Sequence, residues 1–284
     1  MISSLDKCDE FAKATNENEP VSFHVHYLWL KNSNFDEAVT DECLLCDIPL
    51  EQIDRIIGNA RKYPEIDFSI WIDPSDYQNG YTAFLVQSHS FLSGCSNIKV
   101  RNIHEVESYS ALKEFEKINS AKMIFWHRVD LVRLLLIQDQ IQDSSYSKIQ
   151  IYSDMDVQDI FGFNGALKNK LSQGIKKYGF CCGATCKDNL LENGYLAVSS
   201  NMRGKNFIDY IIGYIKQKYA YALAECKNAR NIVYGLYFDS VTSYMLENGI
   251  AIENAMLPIL SETFTQIPHD PRYEGISHRH PFFA

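Results

Sequence analysis

At 284 residues, with 46% hydrophobic and 13% aromatic side chains, the chain can bury a substantial core and is neither disordered nor collagen-like. Its formal net charge of −9 argues against broad nucleic-acid binding, which needs a cationic footprint to displace counterions, so no nucleic-acid partner is expected. Apolar stretches such as LVRLLLI at 131–137 fall far short of the roughly 20 residues that cross a bilayer, so no transmembrane segment is expected either.

Residues 1–20 place charges where a signal peptide would need an apolar centre, which predicts a soluble protein without a cleaved leader. VSFHVHYLWL at 21–30 is rich in strand formers and breaks at Lys31-Asn32, giving a first strand. PLEQIDRIIGNARKY at 49–63 sets Leu50, Ile53, Ile56 and Ile57 on one helical face, and IDFSIWIDPSDY at 66–77 is a second strand ending at Asp73-Pro74. A helix through YTAFLVQSHSFL at 81–92 and a short strand at NIKVRNI, 97–103, repeat the pattern. MIFWHRVDLVRLLLI at 123–137 then brings Ile124, Val129, Val132 and Leu136 near helical spacing, and KIQIYSDMDV at 148–157 is the next strand.

YGFCCGA (178–184) and GYLAVSS (194–200) read as further strands, KNFIDYIIGYIKQKYAYALAECKN (205–228) as a long amphipathic helix, and FDSVTSYMLENG (238–249) as a helix stopped by Gly249. The remainder, FTQIPHDPRYEGISHRHPFFA, has three prolines and no periodicity and forms either a polar tail or a lid. Alternating strands and helices predict an α/β fold: a mostly parallel sheet flanked by helices on both faces, with a C-terminal helical lobe at 203–248. No repeat or linker interrupts residues 1–284, which predicts a single domain with halves at 21–160 and 161–262 and the lid at 263–284. Eight cysteines in such a chain are no disulfide scaffold. Cys43 and Cys46 could join Cys181, Cys182 and Cys186 around zinc, but buried free thiols are the better expectation.

Asp154 and Asp156 end an apolar strand one residue apart, where two carboxylates repel unless a cation intervenes. In open parallel sheets ligands settle at the carboxyl ends of the strands, and alternate positions of an extended segment can project toward one site. A hard cation such as Mg²⁺ or Mn²⁺ suits carboxylate oxygens and leaves positions for substrate phosphates. Asp130 and Arg133, at i and i+3 of the preceding helix, could bind a sugar hydroxyl and a diphosphate, or form a surface ion pair. Trp29 could stack on a nucleobase or sit in the core.

HYLWLKN, SIWIDPSD, NIHEVESY, VDLVR, YSDMDV and LENGYLAVSS resemble, in order across residues 21–225, motifs of bacterial toxin and effector glycosyltransferases of the GT-A fold that carry a D-x-D. The resemblance is closest to the injected effectors that attach N-acetylglucosamine to arginine side chains of host proteins. It implies a GT-A-like Rossmann-type sheet, a UDP-sugar donor (UDP-N-acetylglucosamine or UDP-glucose), Mn²⁺ or Mg²⁺, retention at the anomeric carbon, and secretion into a host cytosol. By position it places Trp29 on uracil, Asp73 on the nucleoside, and Asp130 and Arg133 on sugar or phosphate. Asp154 falls on ribose or metal, Asp156 on the metal, and Glu192 with Asn193 on the acceptor. Ser277, His278 or His280 would complete the metal shell, with Phe282 or Phe283 closing over the donor. The chain departs from that pattern in GFCCGATCKDN, which has no histidine upstream of L-E-N, and in a tail without tryptophan. Two other classes fit the same residues: a sugar-nucleotide-binding protein without turnover, and a metal hydrolase that uses no nucleotide.

Overall fold

The computed structural model describes residues 21–30, 43–45, 48–76, 94–112, 125–142, 148–162, 165–184, 191–225 and 232–257. Strand β1 (Ser22–Trp29) is central, and β2 (Cys43–Leu45) with β3 (Ile48–Pro49) makes a small separate ribbon. Helix α1 (Leu50–Lys62) leads into β4 (Asp67–Ile72) and β5 (Ile98–Asn102), which extend the sheet on one side of β1. Helix α2 (Phe125–Gln142) crosses back to β6 (Lys148–Ser153), which pairs with β1 on its other side. After α3 (Lys168–Tyr178) come β7 (Phe180–Ala184) and β8 (Leu191–Ser199), then α4 (Met202–Glu225), α5 (Ile232–Glu247), α6 (Ile252–Ala255) and β9 (Met256–Leu257).

Among the described residues the main sheet has seven strands in the order β5-β4-β1-β6-β8-β7-β9. β8 is antiparallel to both β6 and β7, and every other pairing is parallel. The fold is therefore the mostly parallel, helix-flanked α/β sheet that the sequence predicts. Helices cover both faces, so alternate side chains of a strand enter different cores. Val25, Tyr27, Ile149 and Ile151 pack with Ile53, Ile56, Leu171 and Ile175 on the side of α1 and α3. Leu28, Tyr152, Leu196 and Val198 pack with Val132, Phe207, Ile211 and Val233 on the side of α2, α4 and α5. There the Phe180 and Phe207 rings stack with centroids 3.8 Å apart.

Double coverage also buries a polar residue of β1. His26 is fully buried: its Nδ1 accepts from Trp71 Nε1 at 3.0 Å, which leaves the proton on Nε2, 2.7 Å from Gln150 Oε1. Burial holds its pKa well below the ordinary histidine value. Helix α2 has no single apolar face: Val132 through Ile137 are all buried, Arg133 included, because the helix lies between the sheet and the α4–α5 pair.

Element boundaries differ from the sequence expectations where tertiary contacts decide them. β6 stops at Ser153, so Asp154 and Asp156 occupy the turn after the strand and not its extended end. β8 begins at Leu191 and takes Glu192 and Asn193 into the sheet. α5 begins at Ile232, while Gly249, at φ 64°, follows its end as expected. Cys181 and Cys182 are free thiols buried on opposite faces of β7, one in each core, an arrangement that cannot present both to one zinc ion. The expected helix at 81–92 and the segment 263–284, with Ser277, His278, His280, Phe282 and Phe283, lie outside the described residues.

Candidate functional site

The chain leaves β1 toward β4 and β5 on one side and returns to β6 on the other, so strand order reverses between β1 and β6. In open α/β sheets the crevice at such a reversal, beyond the carboxyl ends, is where ligands bind. Trp29 ends β1, Asp73 follows β4 and Asp154 follows β6 at this rim. Antiparallel β8 brings its amino end to the same rim: Ser153 registers with Tyr195, and the Asp154 amide donates to the Gly194 carbonyl at 2.7 Å. A reversed strand is thus what sets Glu192 and Asn193 beside Asp154.

A buried network links these residues. Arg133 Nη1 donates to the Asn193 carbonyl at 2.9 Å and to Asn193 Oδ1 at 3.0 Å, and lies 3.6 Å from Asp154 Oδ1. Arg133 Nη2 is 3.3 Å from Asp130 Oδ1, which also accepts from Asn193 Nδ2 at 2.9 Å. The Arg133 and Asp130 side chains are 8% and 12% exposed, so this is no surface ion pair and their mutual alignment is needed to offset desolvation. The guanidinium also sits over the Tyr152 ring, 5.0 Å from its centroid, and the Tyr152 hydroxyl donates to Asp154 Oδ1 at 2.6 Å. Sequence reasoning missed Tyr152 as a member of the site, although its place in YSDMD could have signalled it. It also missed Tyr234 on α5, whose hydroxyl donates to the Leu191 carbonyl at 2.9 Å and borders Glu192. No local pattern marks Tyr234.

Burial sets the acidity of the cluster. It raises Asp130 to about 6 against the pull of Arg133 and Asn193, and it raises Asp156 to about 6 with help from the Asp154 charge. Glu192 is pushed up to about 7 by burial and then by Asp154, with Tyr234 opposing. Arg133 resists its own desolvation because Tyr152, Asp154, Asp130 and Glu192 surround it, and it stays charged. Four carboxyl groups around one arginine favour a further cation.

Two observations fit a metal at Asp156. Its Oδ1 is buried with no hydrogen-bond partner, a costly condition that a cation would relieve. The half-exposed Asp154 is close enough for its charge to raise the pKa of Asp156. Among the described residues no group of three or more His, Cys, Asp or Glu is poised around a metal, so such an ion would draw its other ligands from substrate oxygens and water. Asp73 differs from the other acids. It is fully buried, and its oxygens accept from the Tyr109 hydroxyl, from Ser75 Oγ at 2.6 Å and amide at 3.0 Å, and lie 2.9 Å from His104 Nε2. It braces the loops after β4 and β5. Trp29 is half-buried at the end of β1.

No protein-family model and no curated protein matches the chain. Among solved structures it is similar to the PaToxG glycosyltransferase, with 17% identity and a TM-score of 0.49 over 83% of this chain and 80% of that one. It is also similar to the galactosyltransferase LgtC solved with donor and acceptor sugar analogues, with 12% identity and a TM-score of 0.42 over 76% of this chain and 70% of that one. A third likeness is to a glucose-1-phosphate thymidylyltransferase from Bacillus anthracis, with 11% identity and a TM-score of 0.41 over 81% and 85%. With identities up to 17% and TM-scores up to 0.49, these overlaps assign neither a family nor an activity to this chain. Among the described residues no helix is long and apolar enough to cross a membrane.

Proposed function

We propose that the chain is a metal-dependent glycosyltransferase that moves N-acetylglucosamine or glucose from a UDP-sugar to a protein side chain, with arginine the acceptor that an acid-lined rim suits best. The observation that carries this reading is the buried Asp130–Arg133–Asn193 array, with half-exposed Asp154 at its edge, at the strand-order reversal next to the orphaned Asp156 oxygen. Asp156, with Asp154 directly or through water, would hold Mn²⁺ or Mg²⁺. Substrate oxygens and water would complete its shell, and the sequence resemblance adds Ser277 or His278 of the C-terminal segment as a further ligand. When bound, the ion supplies charge to stabilise the departing diphosphate.

The chain's own residues do the rest. Trp29 stacks on the uracil, and Asp73 supports that end of the rim from beneath. Arg133, locked between Asn193 and Asp130, presents a fixed positive charge to the diphosphate, where positioning and electrostatics supply most of a transfer enzyme's rate. Asp130 and Asn193 orient the donor sugar. Glu192, with its acidity constant near neutrality, accepts the proton that the acceptor nitrogen loses as its bond to the anomeric carbon forms and the bond to the diphosphate oxygen breaks. The sequence resemblance extends the reading to a bacterial effector with a host protein as acceptor.

The test is titration of UDP into the protein with and without Mn²⁺, followed by intact-mass analysis of candidate proteins incubated with UDP-sugars. UDP binding that Mn²⁺ strengthens, with Asp156→Asn abolishing that strengthening, and a mass gain of one hexose or N-acetylhexosamine, are expected. Binding without turnover on any acceptor, or in UDP-sugar hydrolysis, would leave a sugar-nucleotide-binding protein in its place. Metal-dependent hydrolysis that UDP does not protect against would point to a hydrolase.

A further inference from the structure

One stripe of α1 is devoted to the segment that carries Asp156. Arg55, Asn59, Lys62 and the following Tyr63 recur at helical spacing, so they share a face. Asn59 is 2% exposed and uses its whole carboxamide there. Its Nδ2 donates to the Gln158 carbonyl at 3.1 Å and to the Arg55 carbonyl at 3.1 Å, and its Oδ1 accepts from the Ile160 amide at 3.1 Å. Asp159 completes the clamp from the other side. Its Oδ2 meets Lys62 Nζ at 2.5 Å, while Oδ1 accepts from the Tyr63 hydroxyl at 2.8 Å and the Phe161 amide at 3.0 Å. Arg55 lies near enough to favour the charged form of Asp156 against burial.

Residues 157–161 belong to no helix or strand, so their buried backbone groups need partners from elsewhere. Packing alone would leave such a segment free to slide along α1. Directional bonds from a carboxamide and a carboxylate remove that freedom, and they act two to four residues beyond Asp156. A carboxylate that must offer one oxygen to a cation gains affinity when its backbone is already fixed.

We propose that Asn59 and Asp159 are positioning residues that lock segment 157–161 onto α1 and thereby hold the Asp156 carboxylate in place for the cation, an inference that rests on the metal-binding reading above. Asn59 touches neither metal nor substrate. It acts through the loop, so its removal lowers metal affinity and leaves metal-free nucleotide contacts intact.

The experiment measures Mn²⁺ uptake by electron paramagnetic resonance in the presence of UDP, UDP binding in EDTA, and amide exchange across 154–161. Wild type, Asn59→Ala, Lys62→Met and Asp156→Asn are compared below their unfolding temperatures. Loss of a partner that orients a metal ligand typically weakens metal binding by about 10- to 100-fold, which is the result expected for Asn59→Ala, with faster exchange at 156–161 and unchanged UDP binding in EDTA. A folded Asn59→Ala protein with wild-type Mn²⁺ affinity overturns the proposal. Lys62 is half-exposed, so Lys62→Met should fold even if Asn59→Ala does not. A fall in its Mn²⁺ affinity supports the proposal, and an unchanged affinity overturns it. If wild type takes up no Mn²⁺ with UDP, the metal-dependent reading falls instead, and exchange at 156–161 still decides whether α1 locks the loop.

Discussion

Gly194 faces the Asp154 carboxylate from the neighbouring strand, and Gly194→Ala tests whether the position of that carboxylate matters. An added Cβ would stand 2.6 Å from Asp154 Oδ2 and 3.3 Å from its Cγ, where ordinary contact begins at 3.4 Å, so the oxygen must retreat by about 0.8 Å. It cannot retreat by translation, because the Asp154 amide is bonded to the Gly194 carbonyl at 2.7 Å. It must rotate, against a 2.6 Å bond from Tyr152, and holding a side chain off its rotamer costs about 0.5–1.5 kcal/mol. That is a small loss of stability. Reacting groups tolerate far less, since a displacement of roughly 1 Å can cost about 10²-fold in rate. Steady-state turnover of a UDP-sugar under saturating Mn²⁺ should therefore fall about 100-fold, while urea unfolding shifts by about 1 kcal/mol. Wild-type turnover in this variant would refute the assignment of Asp154 to the reacting site. Loss of turnover through unfolding would show up in the urea curve and refute the estimate of strain.

Three other outcomes follow from the geometry. Arg133→Lys exchanges a fork that grips Asn193 twice and Asp130 once for a single ammonium; breaking a buried pair of this kind costs about 3 kcal/mol, and a urea-unfolding change below about 1 kcal/mol would contradict it. Burial lowers His24 to about 3, so the unfolded chain binds a proton below pH 6.5 that the folded chain refuses, and stability contributed by its neutrality falls as pH drops from 6.5 toward 3. His24→Gln removes that site and should shrink the stability lost between pH 7.5 and pH 4.5 by about 2–3 kcal/mol relative to wild type, with equal losses in the two proteins counting against a neutral buried His24. On the exposed side of α4, a Cβ at Gly213 meets nothing within 4 Å, so Gly213→Ala should raise stability by about 0.5–1 kcal/mol in thermal melts, and a decrease would mean that the helix face is covered.

Period and punctuation in the sequence marked β1, α1, β4, β5, α2, β6, β7, β8, α4 and α5, while α3 (Lys168–Tyr178) went unread. The strand formers of SFHVHYLW, broken off at Lys31-Asn32, and the halt at Asp73-Pro74 are local signals, and β1 and β4 end close to where those signals place them. The acids after β6 were legible for the same reason: a carboxylate pair closing an apolar run is visible without any partner. What the chain could not disclose locally is who meets whom. Whether Asp130 and Arg133 lie on a surface or in a core depends on α4 and α5, which begin at Met202 and Ile232, far along the chain, and bury them. The orientation of β8 is equally non-local, yet it alone carries Glu192 and Asn193 to the rim where Asp154 waits. Tyr234 and Asn59 have ordinary helical neighbours in sequence and acquire their meaning only from what packs opposite them. Local conformational preference is a property of a few adjacent residues, whereas burial, charge pairing and acidity arise from groups brought together by the finished sheet.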